Sequence, residues 1–290
     1  MVTSASGAAT LRESVGDWGL RRSLGLLRAF RAEQTDPDRF YGLQAADSVA
    51  QLARYGDLDG GIVVDVGGGA GYFTEALARA GARCILVEPG AAHPDDLDGT
   101  RTVAGSSDGN GECADRARRE HHRHAVRVGR LAPGRTVAGD GNRLPLPDGV
   151  ADVTFSSNVL EHVPTPRRFL EEMVRVTRPR GLVYLAFTTW LSPWGGHETS
   201  PWHYLGGRRA ARRYEQRYGH PPHNRYGTSL FARHVGPMLR LVRSHPGVEV
   251  IDARPRYYPD WARWVVRLPG AREVVTWNLL LVLRRKEVDR

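Results

Sequence analysis

Lysine is almost missing from this 290-residue chain. Lys286 is the only one, and arginine supplies the rest of its 41 basic residues. Cysteine is as scarce: Cys84 lies in an apolar run and Cys113 in a polar stretch, too few for a disulfide framework or a cysteine metal cluster. That usage fits a reducing, cytoplasmic compartment. Long apolar runs are also absent, since no stretch approaches the roughly 20 residues of a membrane span, and no signal peptide is expected. What is there is ordinary globular material, 41% hydrophobic and 25% charged, enough for one large domain or two small ones. The net charge of +9 raises nucleic acid or an anionic membrane surface as partners. The arginines are scattered, however, and no nucleic-acid module accompanies them, so no specific nucleic-acid partner is expected.

The stretch IVVDVGGGAGYFTEALARAGARCILVEPG, residues 62 to 90, organises the rest. The β-branched run Ile62 to Val64, after Gly60 and Gly61, predicts a buried strand. Gly67, Gly68, Gly69 and Gly71 follow at once. Phe73, Ala76, Leu77 and Ala80 then recur at helical spacing, Gly81 stops the helix, and RCILVE predicts a second buried strand ending in Glu88. Strand, glycine turn, helix and strand form the βαβ unit of a nucleotide-binding α/β fold. Glycines let a ligand approach the main chain, and amides at the helix start face that ligand. A carboxylate at the second strand's tip suits the two hydroxyls of a ribose, so an adenosine-containing cofactor is implied. A dinucleotide fingerprint needs a small residue where Tyr72 stands, which argues against a nicotinamide.

The pattern present is D-x-G-x-G-x-G, from Asp65 through Gly67, Gly69 and Gly71. It closely resembles the first motif of class I S-adenosyl-L-methionine (SAM)-dependent methyltransferases, of the small-molecule, type 11-like kind. The resemblance implies a Rossmann-like three-layer αβα sandwich with a mostly parallel seven-stranded sheet and an antiparallel last strand. It implies SAM as cofactor, with the glycine turn around its methionine end and Glu88 on the ribose.

RTVAGDGNRLPLPDGVADVTFSSNVLEHVPTPRRFLEEMVRVTRPRGLVYLAF carries the resemblance further. In the family an acid like Asp140 accepts from the adenine amine, the next amide (Gly141) faces a ring nitrogen, Asn142 lines the same wall, and Asn158 follows the fourth strand. FLEEMVRVTRPRG predicts a helix ending at a proline–glycine stop, and LVYLAF a fifth strand. The match covers roughly residues 60 to 188, apart from a polar insertion near 91–133. His121, His122 and His124 in that insertion predict a solvated face, and no metal is expected.

Residues 1–59 are expected to form an N-terminal helical cap and 60–290 the methyltransferase domain, with an aromatic cap loop near 188–228. Thr10 and Glu13 have capping-box spacing. Leu20, Leu24, Leu27 and Phe30 share a face of a basic amphipathic helix that packs on the domain or lies at a membrane surface. Asp36 before Pro37 opens a second helix to about Tyr55, and Tyr41 is a candidate lid contact by analogy with the family. Six of seven tryptophans follow residue 189, pointing to a packed cap or an acceptor pocket there. SLFARHVGPMLRLVRS predicts a helix, VEVIDARPRYY a strand and VVTWNLLLVLRR the closing strand, while Trp261 and Trp264 face a pocket or a lipid interface. The expected activity is methyl transfer to a small-molecule, sugar or lipid-linked acceptor at oxygen, with His162 or His197 as base and His203 a further candidate. An RNA methyltransferase and a SAM-binding protein without turnover are the alternatives. The expected location is cytoplasmic, with peripheral membrane contact allowed by the basic helix, and nothing in the residues fixes an oligomeric state.

Overall fold

The computed structural model describes residues 18–31, 35–89 and 136–287. Helices α1 (Leu20–Arg31) and α2 (Pro37–Leu52) precede β1 (Ile62–Val66), α3 (Tyr72–Arg79) and β2 (Arg83–Glu88). After them come β3 (Thr136–Ala138), β4 (Ala151–Ser157), α4 (Pro166–Val176) and β5 (Thr177–Thr188). A cap segment carrying α5 (Gly207–Tyr218) leads to α6 (Val235–Ser244), β6 (Val248–Pro255), α7 (Ala271–Val275) and β7 (Asn278–Arg285).

Among the described residues seven strands form one sheet in the order β3-β2-β1-β4-β5-β7-β6. The pairings from β3 to β5 are parallel, and β7 runs antiparallel to both its neighbours. Strand order reverses between β1 and β4, so their carboxyl ends flank the crevice where such sheets bind ligands. β7 is apolar from Leu279 to Leu283 because both its faces are covered. Leu279, Leu281 and Leu283 pack with residues of α4 and α6. Leu280 and Val282 pack with α2, α3 and Trp18. The alternation of a strand thus builds the two outer layers of the expected sandwich.

Four local expectations are corrected. α4 ends at Val176, and TRPRG belongs to β5. Proline disfavours helix in the residue before it, and Arg180 takes a positive φ of 64° where the β4–β5 register shifts. Only Val235–Ser244 of SLFARHVGPMLRLVRS is helical. Val274 and Val275 belong to the short α7, not to the closing strand. The fourth concerns α1: Leu20 and Leu24 are 59% and 44% exposed, whereas Trp18 and Arg22 are buried. Thr10, Glu13 and the 91–133 insertion lie outside the described residues.

Arg22 is buried because its guanidinium forks onto Asp47 of α2, Nε to Oδ1 at 2.5 Å and Nη2 to Oδ2 at 2.6 Å. Nη2 also donates to the Arg256 carbonyl at 2.9 Å, and Gln51 donates to Asp47 at 2.7 Å. Removing one partner strands the other charge away from water. Asp47→Ala should therefore lower stability by about 3–5 kcal/mol, and Arg22→Met with Asp47→Leu should recover most of the loss. Urea titrations of the two variants check this; equal losses in both would contradict it.

Candidate active site

At the end of β1 the chain turns through Gly67, Gly69 and Gly71, at φ 76°, 53° and 76°. Such angles suit glycine alone among unstrained residues. A Cβ on Gly67 would come within 2.7 Å of Val159, just beyond β4, and one on Gly68 within 2.6 Å of Leu86. The Gly67 amide donates to the Val87 carbonyl at 2.8 Å, tying the turn to β2. Gly71 then caps α3, whose first amides have no side-chain cap.

Asp65 lies beneath this turn. It is buried, and its Oδ2 accepts from the Thr74 hydroxyl at 2.6 Å. Burial pushes its carboxyl up to about 7; the Thr74 bond works against the shift and nearby Glu88 adds to it. Asp65 thus braces the turn from below, between β1 and α3. Tyr41 of α2 packs at the start of α3, its ring centroid 5.3 Å from that of Tyr72. The Tyr72 hydroxyl donates to Asp38, which fastens the start of α2 over the start of α3.

Glu88 closes one side. At the tip of β2 it accepts the Gly69 N–H at 3.0 Å, which aims its half-buried carboxylate along the turn. Burial raises its pKa, and the Gly69 bond offsets part of that. Next to it, Ala138 of β3 pairs with Glu88, and the chain continues through Asp140 and Gly141. Asp140 is exposed and accepts from the amide of Asn142 at 2.9 Å and its side chain at 3.1 Å. A side chain on Gly141 would strike the Phe169 ring. The structure therefore brings Tyr41, Gly67, Gly69, Gly71, Glu88, Asp140 and Gly141 to one rim of the sheet, with Asp65 behind it.

Asn158, at φ 57°, opens the other side. Its amide donates to the Ala186 carbonyl, and its Oδ1 accepts from Asn278 of β7 at 2.8 Å. Behind it lies a polar layer that the sequence reading missed. Arg256 is fully buried and donates to the hydroxyls of Ser157 at 2.9 Å and Ser48 at 2.5 Å. Gln44 of α2 donates to the Tyr257 hydroxyl at 2.6 Å. An aromatic wall runs alongside: Phe30 of α1 lies 4.9 Å from Phe40 and 4.6 Å from Trp194 of the cap, and Trp194 lies 5.2 Å from Trp277.

The two candidate bases meet although they lie far apart in the chain. The rings of His162 and His197 are 5.0 Å apart at 65°. His162 Nδ1 lies 2.7 Å from the Ser229 carbonyl, so it carries the proton and leaves Nε2 as the acceptor. Burial, with His162 adding to it, pushes His197 down to about 4. It is neutral at physiological pH. Glu161, read over in the sequence beside His162, completes the group: one ligand atom of each residue lies within 4.8 Å of the others. His203 packs instead against Trp190 and Tyr204, its Nε2 3.1 Å from the Ser192 carbonyl. Trp261 is 68% and Trp264 49% exposed, so neither lines a pocket.

A glycine cradle under a strand-tip carboxylate fits an adenosyl cofactor, because its crowded positions would be filled by any Cβ. Comparison with known proteins gives the family. The family model described as a methyltransferase domain matches residues 38–234. An "uncharacterized methyltransferase" of Mycolicibacterium gilvum is 46% identical over 271 residues, 91% of this chain and 94% of that protein. One of Mycobacteroides abscessus is 46% identical over 272 residues, with the same coverage. Among solved structures, a SAM-dependent methyltransferase from Mesorhizobium loti aligns with a TM-score of 0.49 at 17% identity, over 81% of this chain and 96% of its own. On the family match and on relatives alike along nearly their whole length, the chain belongs to the methyltransferase-domain family and is a SAM-dependent methyltransferase.

Proposed function

We propose that the methyl group goes to an oxygen of a small-molecule, sugar or lipid-linked acceptor bound between the glycine rim and the aromatic cap. The observation that carries this reading is the meeting of His162 and His197, 5.0 Å apart, just past β4 and beside the crevice. SAM supplies a methyl made electrophilic by its sulfonium, so the protein's task is alignment of an acceptor oxygen and removal of its proton. On this reading Glu88 accepts from the ribose hydroxyls, Asp140 and Gly141 hold the adenine edge, and Tyr41 covers the methionine end. The histidine cluster receives the acceptor hydroxyl, and the ring wall of Phe30, Trp194 and Trp277 offers apolar faces to the body of the acceptor.

A lipid-linked acceptor has its own support. The 3-10 segment Asp260–Arg267 exposes Trp261 and Trp264 with Leu268 beyond, and carries Arg263 and Arg267. The Asp260 amide donates to the Trp18 carbonyl, which joins this segment to α1 with its exposed Leu20 and Leu24. Apolar rings among guanidinium groups suit the interface of an anionic bilayer.

Three measurements test these assignments. Each hydrogen bond to a charged group is worth about 1.5–3 kcal/mol, so Glu88→Ala should weaken SAM about ten- to several-hundred-fold. Glu88→Gln should keep the Gly69 bond and the ligand-free melting midpoint yet lose affinity; calorimetry reading parental affinity in both would remove Glu88 from the site. Methyl-labelled SAM offered with lipid, polar-metabolite and total-RNA fractions should label the first or second through the parent enzyme. His162→Gln should transfer at least about tenfold more slowly at unchanged SAM affinity, whereas label entering RNA at physiological salt would overturn the acceptor class. Vesicles with anionic lipid should co-sediment the parent and lose it on Trp261→Ala with Trp264→Ala, while equal retention of both proteins would remove the lipid surface.

A further inference from the structure

The cluster of Glu161, His162 and His197 is built more elaborately than a general base requires. Glu161 and His162 each have one polar atom held by the protein and one left over, and His197 has a buried nitrogen with no partner among the described residues. The Glu161 side chain is buried; its Oε1 accepts the Thr188 amide at 3.1 Å, and its Oε2 has no hydrogen-bond partner among the described residues. His197 Nε2 is likewise buried without one. His162 gives its Nδ1 proton to the Ser229 carbonyl at 2.7 Å, leaving the Nε2 lone pair. An imidazole whose far nitrogen is tied to a backbone carbonyl is the arrangement that metal-binding histidines adopt, because it fixes both tautomer and ring orientation.

We propose that Glu161, His162 and His197 bind one divalent transition cation of the zinc class. Two neutral imidazoles and a carboxylate are the donor set of catalytic zinc sites, which keep a further position for a water or substrate oxygen. One ligand atom from each residue already lies within 4.8 Å of the others. Ligands at zinc distances lie roughly 3–3.5 Å apart, a closure within reach of side-chain rotation. Arg233, whose charge is felt at Glu161, spends its donors on carbonyls, those of Leu160 at 3.2 Å, of Val163, and of Pro164 at 3.3 Å. No ion pair joins it to Glu161 among the described residues. The backbone holds the donors in place, since the Phe231 amide donates to the Glu161 carbonyl at 2.8 Å and the His162 amide to that of Val159 at 2.8 Å.

The proposal rests on the reading of this cluster as the acceptor side and adds how the acceptor is activated. A hydroxyl held at the cation's open position loses its proton to solvent water more readily. The O–CH3 bond then forms as the S–CH3 bond breaks, leaving S-adenosylhomocysteine. In this arrangement the histidines are ligands, and solvent takes the proton.

Chelator-treated protein, without SAM or acceptor, should take up one equivalent of Zn²⁺ by elemental analysis, and Co²⁺ should give the visible bands of a four- or five-coordinate N/O site. Loss of even an outer-shell partner costs about 10–100-fold in metal affinity, so Glu161→Gln and His197→Asn should each bind more than about a hundredfold more weakly. Both replacements are chosen to fold: Gln keeps an acceptor for Thr188, and Asn tolerates the positive φ of 49° at position 197. Circular-dichroism melts confirm it, and His245→Ala, on the far edge after α6, should bind like the parent. Absence of stoichiometric uptake by the folded parent, or uptake unchanged in both variants, would overturn the metal site. Because uptake is measured without methyl transfer, that result leaves the acceptor reading standing. Stoichiometric uptake with no labelled product from any extract would strike the acceptor reading instead.

Discussion

The backbone at the end of β1 runs where no side chain fits, and the rest of the site depends on that constraint. Val159 presses on Gly67 from the β4 side, and Leu86 and Asp65 press on Gly68 from beneath. With these neighbours in place the turn has nowhere else to go, so it lies in the crevice with its Gly67 amide tied back to Val87. Glu88 is aimed by the same turn through the Gly69 amide. The strand-tip carboxylate and the glycine cradle are therefore one unit, and displacement of the turn would move both.

A second constraint is electrostatic. Arg22 and Asp47 pair away from water, and Arg256 is buried with hydroxyls and rings as partners and, among the described residues, no carboxylate bonded to its guanidinium. Its group lies 5.4 Å from the Tyr257 ring centroid and 5.9 Å from those of Phe73 and Tyr184. Burial of a charge is costly unless such contacts replace water. The layer spans α1, α2, β4 and β5, along with the residues just past β6. Its bonds are directional where apolar packing is not, which fixes the angle at which the N-terminal helices sit over the crevice.

How much of this could be read in the sequence follows from the range of each signal. The βαβ unit was legible because its periodicity, glycines and terminal acid are local, and β7 was legible as a closing strand from its apolar run. Direct contacts within one turn, such as Glu88 with the cradle, come with the motif. The buried face of α1 was not legible: Leu20 and Leu24 suggested it, but the salt bridge to Asp47 turned Arg22 inward instead. Helix periodicity assumes that apolar residues mark the inside, and a paired charge breaks the assumption. Arg256 gave no signal for the same reason. His162 and His197 were each candidates, but their meeting, and Glu161 with them, depends on how the cap folds back over the end of β4. The start of β5 is hidden because proline and glycine read as a stop, whereas a register shift in the sheet accommodates them.

The short turn after β4 joins the two halves of the chemistry. Asn158 leaves the strand with its amide on Ala186, Val159 packs on Gly67, and Leu160–His162 form a single 3-10 turn. In-line methyl transfer needs the acceptor atom held within about 3–3.5 Å of the methyl carbon, so an error in spacing between cradle and acceptor is costly. Here Val159 touches the cradle, and its carbonyl receives the amide of His162, the histidine proposed to face the acceptor. The spacing of His162 from the cradle is thus set by a few bonded atoms, while the cap supplies His197 and the far wall. On the proposed reading a cap can then change its aromatic lining to suit another acceptor with the turn left in place, because binding loops vary more readily than the scaffold that holds them.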